Sequence, residues 1–137
     1  MAGWHSYETV EINGRIFVKL CSSEDVFEGR GKRFRFGDDL DMQIAVYRVN
    51  DKLYCLNNIC PHRHQDKMHK GIIRDLNVMC PEHGWTYSLV NGRNVIKKQG
   101  VKSLESYEIF EKDGVVYVEQ PVFKIPKWRR SDLNNYE

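Results

Sequence analysis

Apolar and polar residues alternate along this chain in short runs with a period of two, and turn-forming residues punctuate the runs at regular intervals. Val10 to Ile12 and Arg15 to Leu20 flank Asn13-Gly14, a strong hairpin signal. Ser22-Ser23-Glu24-Asp25 can cap a short helical turn, which Gly29 and Gly31 end quickly. Arg33 to Phe36 alternates charge and aromatic ring, as a half-buried strand does. Ile44 to Val49 and Leu53 to Leu56 read as two strands joined at Asn50-Asp51-Lys52. Trp85 to Val90 and Arg93 to Lys97 flank Asn91-Gly92, and Ser106 to Phe110 and Val115 to Glu119 flank Lys112-Asp113-Gly114, giving two more expected hairpins. No stretch of ten residues sustains an apolar period of 3.6. The pattern therefore predicts an all-β protein, an antiparallel β-sandwich or incomplete barrel.

Two segments break the alternation. Residues 57–84 are rich in Cys, His, Pro and Gly, and a long stretch of that kind inside a compact chain is usually functional. The tail after Pro121 carries Lys124, Lys127, Arg129 and Arg130 around Trp128 and is expected to be an extension, about 121–137, packed on the surface or partly disordered. Trp128 with the two arginines is also a candidate partner anchor.

Composition narrows the class. With 137 residues the chain is expected to form one domain, 1–137, able to fold without disulfides. A net charge of +2 gives no bulk attraction to nucleic acid or membrane. No secretory signal and no apolar stretch of membrane-spanning length is present, so a cytoplasmic location is the expectation. The four cysteines, at 21, 55, 60 and 80, then read as ligands, nucleophiles or buried groups rather than disulfide partners. Cys21 and Cys55 lie in expected strands and read as small buried hydrophobes.

The chemistry concentrates in Cys60-Pro61-His62 and Cys80-Pro81-Glu82-His83. Each piece offers one thiolate and one imidazole, and each cysteine precedes a proline that holds the loop out of helical geometry. Seventeen residues separate His62 from Cys80, enough for a hairpin-like excursion that returns the second loop beside the first. A tetrahedral zinc ion draws on the same Cys₂His₂ donors. His64 and His69, in the first loop, are expected to face solvent. Arg63, Lys67, Lys70 and Arg74 outnumber Asp66 and Asp75 there, either as a solvated loop or as a mildly basic rim that steers an acidic partner.

The paired motif, together with the run Cys80-Pro81-Glu82-His83-Gly84-Trp85-Thr86-Tyr87, resembles the Rieske family over roughly residues 15–120, and most of all its soluble ferredoxins, ring-hydroxylating oxygenase components and nitrite reductase small subunits. The resemblance implies one [2Fe–2S] cluster per chain, with Cys60 and Cys80 on one iron and His62 and His83 on the other. It implies a small cluster-binding subdomain, about 57–90, inserted into the sandwich, with the two histidines nearest solvent. Gly71 stands where the family places a glycine late in the first loop. Gly84, Trp85, Tyr87 and His64 are the residues implied around the ligands, with Tyr87 where a family tyrosine bonds to a ligand sulfur and His64 in place of a usual glycine. Gln65 and Glu82 occupy the positions of two cysteines that link the loops in high-potential members, and Trp85 that of a serine bonding to a bridging sulfide. No counterpart of the family's proline-rich third loop is found around 97–103. Fewer hydrogen bonds to sulfur imply a potential near the low end of the Rieske range, about −150 mV.

The implied activity is transfer of single electrons by a monomeric carrier, not an enzyme, as a ferredoxin component between a reductase and an oxygenase. The alternative is a small subunit of a larger redox complex such as an assimilatory nitrite reductase. The stretch after His83 is too short for an oxygenase's own catalytic domain. Donor, acceptor and pathway are not legible in the residues.

Overall fold

The computed structural model describes residues 7–61, 64–82, 84–100 and 102–123. Ten strands run in chain order: β1 Thr9–Ile12, β2 Arg15–Ser22, β3 Gly31–Arg35, β4 Gln43–Val49, β5 Lys52–Asn57, β6 Ile72–Arg74, β7 Asn77–Met79, β8 Thr86–Ser88, β9 Ile109–Lys112 and β10 Val115–Glu119. They form three antiparallel sheets, ordered β1-β2-β10-β9, β3-β4-β5 and β6-β7-β8. No helix among the described residues is long and apolar enough to cross a membrane.

Local chemistry explains the hairpins. Asn13 and Gly14, Asn50 and Asp51, and Asp113 and Gly114 all adopt positive φ, the backbone of the tight turn whose twist matches the flanking strands. Ser23–Asp25 is a single 3₁₀ turn, as expected. Two hairpins differ from the sequence pattern. The excursion between the cysteine loops closes as β6–β7 through Asp75 and Leu76, both at positive φ. Leucine rarely occupies that conformation, so no turn signal marks it. The hairpin expected at Asn91-Gly92 forms only in part: β8 ends at Ser88, and its partner segment contributes one bridge, Tyr87 to Asn94, instead of a strand. Gly92 is pressed onto the chain at Leu104, whose N–H donates to the Gly92 carbonyl (2.8 Å), and a Cβ at Gly92 would lie 2.0 Å from the Leu104 carbonyl oxygen. That contact pulls the chain away from β8.

The first two sheets face each other across a core of Val18, Leu20, Val116 and Val118 on one side and Phe34, Ile44, Val46, Leu53 and Cys55 on the other. The segment expected as a strand from Ser106 switches sheets. The Asn57 N–H donates to Glu105 and the Tyr107 N–H to Cys55, on β5; from Ile109 the chain pairs instead with β10. Such a corner is how a sandwich partly closes into a barrel. Tyr107 and Phe36 also receive Phe123, so the start of the tail packs back on this core; Trp128, Arg129 and Arg130 lie outside the described residues.

β4 is buried on both faces. Ile44 and Val46 point into the sandwich, whereas Ala45 and Tyr47, with Leu56 of β5, point into a second core made with Cys60, Met68, Val78, Cys80, Tyr87, Leu89 and Leu104. The third sheet, which lies between β5 and β9 in the chain, is therefore laid against the back of the second.

Candidate metal centre

The two cysteine loops are built alike. The Cys60 N–H donates to the Gln65 carbonyl (2.8 Å), and the His64 N–H donates back to Cys60 (2.7 Å). The Cys80 N–H donates to the Trp85 carbonyl (2.7 Å), and the Gly84 N–H donates back to Cys80 (3.0 Å). The residue four positions after each cysteine has positive φ, 54° at His64 and 76° at Gly84. A histidine thus sits where the turn favours glycine, at a local cost of order 1 kcal/mol.

Neither thiol is in a disulfide; both are buried and both belong to the second core. Tyr87, itself fully buried, joins them: its hydroxyl lies 3.8 Å from Cys60 Sγ. Burial, and then the neighbouring Cys60 sulfur, hold this phenol well above its ordinary pKa. His62 and His83 lie outside the described residues, so of the four candidate ligands the structure brings together the two cysteines.

The first loop is fastened to the sheet by a polar network that gave no sequence signal beyond a pair of asparagines at a strand end. The Asn58 side-chain amide donates to Gln43 Oε1 (2.7 Å) and to the Asp66 carbonyl (3.2 Å), and its oxygen accepts from the His69 N–H (2.6 Å). Asn58 and Gln43 are fully buried, so each of these bonds satisfies a group that would be costly left alone. Tyr47 adds a donor to the Met68 carbonyl (2.6 Å), and Arg33 pairs with Asp66 (2.9 Å). His64 and His69 are half-buried rather than solvent-facing. His64 Nε2 lies 2.8 Å from Oδ1 of the buried Asp41, and the His69 ring lies against Asn58. Burial lowers the pKa of both imidazoles, against Asp39 at His64 and with help from Arg33 at His69.

Gly71 is required by space. A Cβ there would lie 2.4 Å from Val78 and 2.8 Å from the Met79 carbonyl oxygen. Trp85 is half-buried against the second core. Cys55 is buried and its thiol pKa pushed up by desolvation, and half-buried Cys21 is pushed up to about 11 by burial and Asp25. Neither thiol is poised for ligation or attack.

The residues present fit an iron–sulfur cluster. Two soft, buried thiol groups outside any disulfide stand on matching turns in one core, with a tyrosine hydroxyl within hydrogen-bond reach of one sulfur.

Comparison with known proteins agrees. The family model "Rieske [2Fe-2S] domain" matches residues 16–108. Ferredoxin CarAc of Metapseudomonas resinovorans is 30% identical over 105 residues, covering 76% of this chain and 94% of that protein. A solved chain described as a small subunit of an NADH-dependent nitrite reductase from Mycobacterium tuberculosis superposes with a TM-score of 0.67 at 20% identity, over 82% of this chain and 99% of that one. A complex of reduced oxygenase and oxidized ferredoxin in carbazole 1,9a-dioxygenase contains a chain that matches at 27% identity with a TM-score of 0.64, over 73% of this chain and 98% of that one. Twin cysteine loops on an all-β frame, matched over most of their length, place the chain in the Rieske [2Fe–2S] domain family.

Proposed function

We propose that this chain is a one-electron carrier that passes electrons from a reductase to an oxygenase, as the ferredoxin component of a three-protein system. The observation that carries the proposal is the pair of matching loops presenting Cys60 and Cys80 in one core, within a chain matched by the Rieske family. Cys60 and Cys80 with His62 and His83 would hold the [2Fe–2S] cluster, which supplies reversible uptake of a single electron at a potential near the low end of the Rieske range. Two thiolates and two neutral imidazoles would offset the charge of the oxidised iron–sulfide core, so the centre would be neutral when oxidised and carry a single negative charge after uptake of one electron. The third sheet and its loops, about 57–90, act as the cluster-binding part of a single domain.

Recognition of partners follows from charge. Between residues 60 and 103 the sequence has eight Lys and Arg against three Asp and Glu, net +5, whereas the rest has thirteen against sixteen, net −3. Asp66 is already paired with Arg33, and Lys70 and Arg74 are exposed. A basic end of this kind orients an acidic partner toward the ligand loops and speeds encounter at low salt. The chain acts as carrier and not as enzyme, in the cytoplasm, and as a monomer.

The test is the visible and electron paramagnetic resonance spectrum of the purified protein with iron and sulfide analysis. Equal iron and acid-labile sulfide, with the reduced-state signal of mixed His/Cys ligation lost in His62→Ala and His83→Ala, is expected. A colourless protein with stoichiometric zinc overturns the reading. Gel filtration from the native host separates a freestanding carrier from a subunit of a large reductase.

A further inference from the structure

The segment after β8 contains no proline, yet it is folded tightly onto the second cysteine loop. Lys97–Gln99 is one 3₁₀ turn, and the half-buried Gln99 side chain makes three hydrogen bonds from it. Its Nε2 donates to the Gly84 carbonyl (3.1 Å). Its Oε1 accepts from the Thr86 N–H (3.0 Å) and from Asn94 Nδ2 (3.0 Å). The Gly84 carbonyl also accepts from the Thr86 hydroxyl (3.1 Å), so the Gly84–Trp85 peptide is held by two donors. Asn94 is itself fixed, since its Oδ1 accepts from the Ile96 N–H (2.9 Å), and its backbone bridges Tyr87, the residue at the Cys60 sulfur. Gly100, at φ 100°, turns the chain beside Trp85: a Cβ built there would lie 4.0 Å from the Trp85 ring. One carboxamide therefore grips the second loop on both sides of Trp85 and, through Asn94, reaches the tyrosine that serves the first.

We infer that Gln99 is a positioning residue for the redox centre: its carboxamide fixes the Gly84–Trp85 peptide and the amide of Thr86, and so sets the geometry of the second ligand loop. A primary amide donates to a carbonyl through its nitrogen while its oxygen accepts from an N–H, so one glutamine side chain serves both backbone groups at once. The inference rests on the reading that Cys80 and His83 hold the cluster.

The experiment compares wild-type, Gln99→Met and Gln99→Glu proteins, each with its cluster. Methionine keeps the length and removes all three bonds; glutamate keeps the acceptor and removes the donor to Gly84. Three readouts are taken: amide hydrogen exchange at Thr86, the midpoint potential, and the line shape of the reduced-state resonance signal. Gln99→Met is expected to exchange its Thr86 amide at least about tenfold faster, to shift the midpoint and to broaden the signal. Gln99→Glu is expected to keep near-native exchange at Thr86 but to broaden the signal. Loss of the cluster from both variants with β-sheet content and thermal transition intact also supports the role. Wild-type values in all three readouts overturn it, and so does global unfolding of both variants, which would make Gln99 a general stability residue. A wild-type protein that lacks the cluster defeats the functional reading instead, while the exchange measurement on that protein still decides whether Gln99 fixes the loop.

Discussion

Replacing Tyr87 by phenylalanine removes one oxygen atom from the second core and leaves the ring in place. The hydroxyl is 3.8 Å from Cys60 Sγ, and the residue is fully buried, so water does not take over the lost bond. Hydrogen bonds to charged groups contribute about 1.5–3 kcal/mol. At this long separation, and counting only the part that strengthens when the centre gains an electron, about 0.5–1.5 kcal/mol remains. For a one-electron couple a factor of ten, about 1.4 kcal/mol, corresponds to about 59 mV, so the midpoint should fall by about 20–60 mV. The sign is fixed because a donor at sulfur favours the more negative, reduced state. Asn94 keeps its bond to Gln99 in the variant, so the second loop stays braced. The assay is a spectroelectrochemical titration of both proteins at one pH, with the visible spectrum as the check that ligation is intact. A midpoint that rises, or that moves by less than about 10 mV with an unchanged spectrum, refutes the assignment of Tyr87 as a donor to Cys60.

Gly71→Ala places a methyl group 2.8 Å from the Met79 carbonyl oxygen, which cannot move without parting β6 from β7. A cost of about 1–3 kcal/mol is expected, seen as a drop in Tm of roughly 4–12 °C by calorimetry; a Tm within about 1 °C of wild type shows that the hairpin yields freely. At the far end of the sandwich, Arg48 donates to the Val26 (2.8 Å) and Ser23 (2.9 Å) carbonyls and forks onto Glu111 (2.9 and 3.1 Å). The hydrogen bonds from Arg48 hold the Glu111 carboxyl below its ordinary 4.5. The folded protein then binds this proton less tightly than the unfolded chain, so the pair adds stability above about pH 4.5 that is lost as pH falls through the folded value. Glu111→Gln should cost about 1 kcal/mol at pH 7, the carboxylate being partly exposed, and less near pH 4. Denaturant titrations with the same difference at both pH values would place the effect elsewhere.

Turns were the legible part of the fold because their chemistry is local. Asn13-Gly14 and Asp113-Gly114 announce positive φ in the residues themselves, and the strands they join follow within a residue or two, except that β9 starts three residues after the expected Ser106. Asp75-Leu76 makes the same kind of turn with a residue that disfavours it, held by pairing of β6 with β7 and by Gly71 beneath Val78; nothing local reports that. The strand expected after Asn91-Gly92 failed for a long-range reason, the docking of Gly92 on Leu104. The site divides the same way. Two Cys/His spacings carry strong information, whereas Asn58, Gln43 and Gln99 act through partners up to fifteen residues away and read in sequence as ordinary polar loop residues. His64 was legible as a departure from glycine, but its approach to Asp41 depends on how the chain before β4 is folded.

The third sheet explains why the two cysteine loops need so many fastenings. Its strands have three residues each, too short to be stable alone. It gains order from the back of β4 and β5, where Ala45, Tyr47 and Leu56 complete its core, and from bonds that cross into each loop: Tyr47 to Met68 and Asn58 to His69 on the first, Gln99 to Gly84 on the second. β4 gives its other face to the sandwich, so the loops cannot shift without disturbing a strand buried on both sides. A carrier gains by this arrangement. Electron transfer is fast when the groups around the centre keep their places as its charge changes, and loops tied to a doubly buried strand can sit at the edge of the molecule, where a partner reaches them, without the mobility that loops at an edge otherwise have.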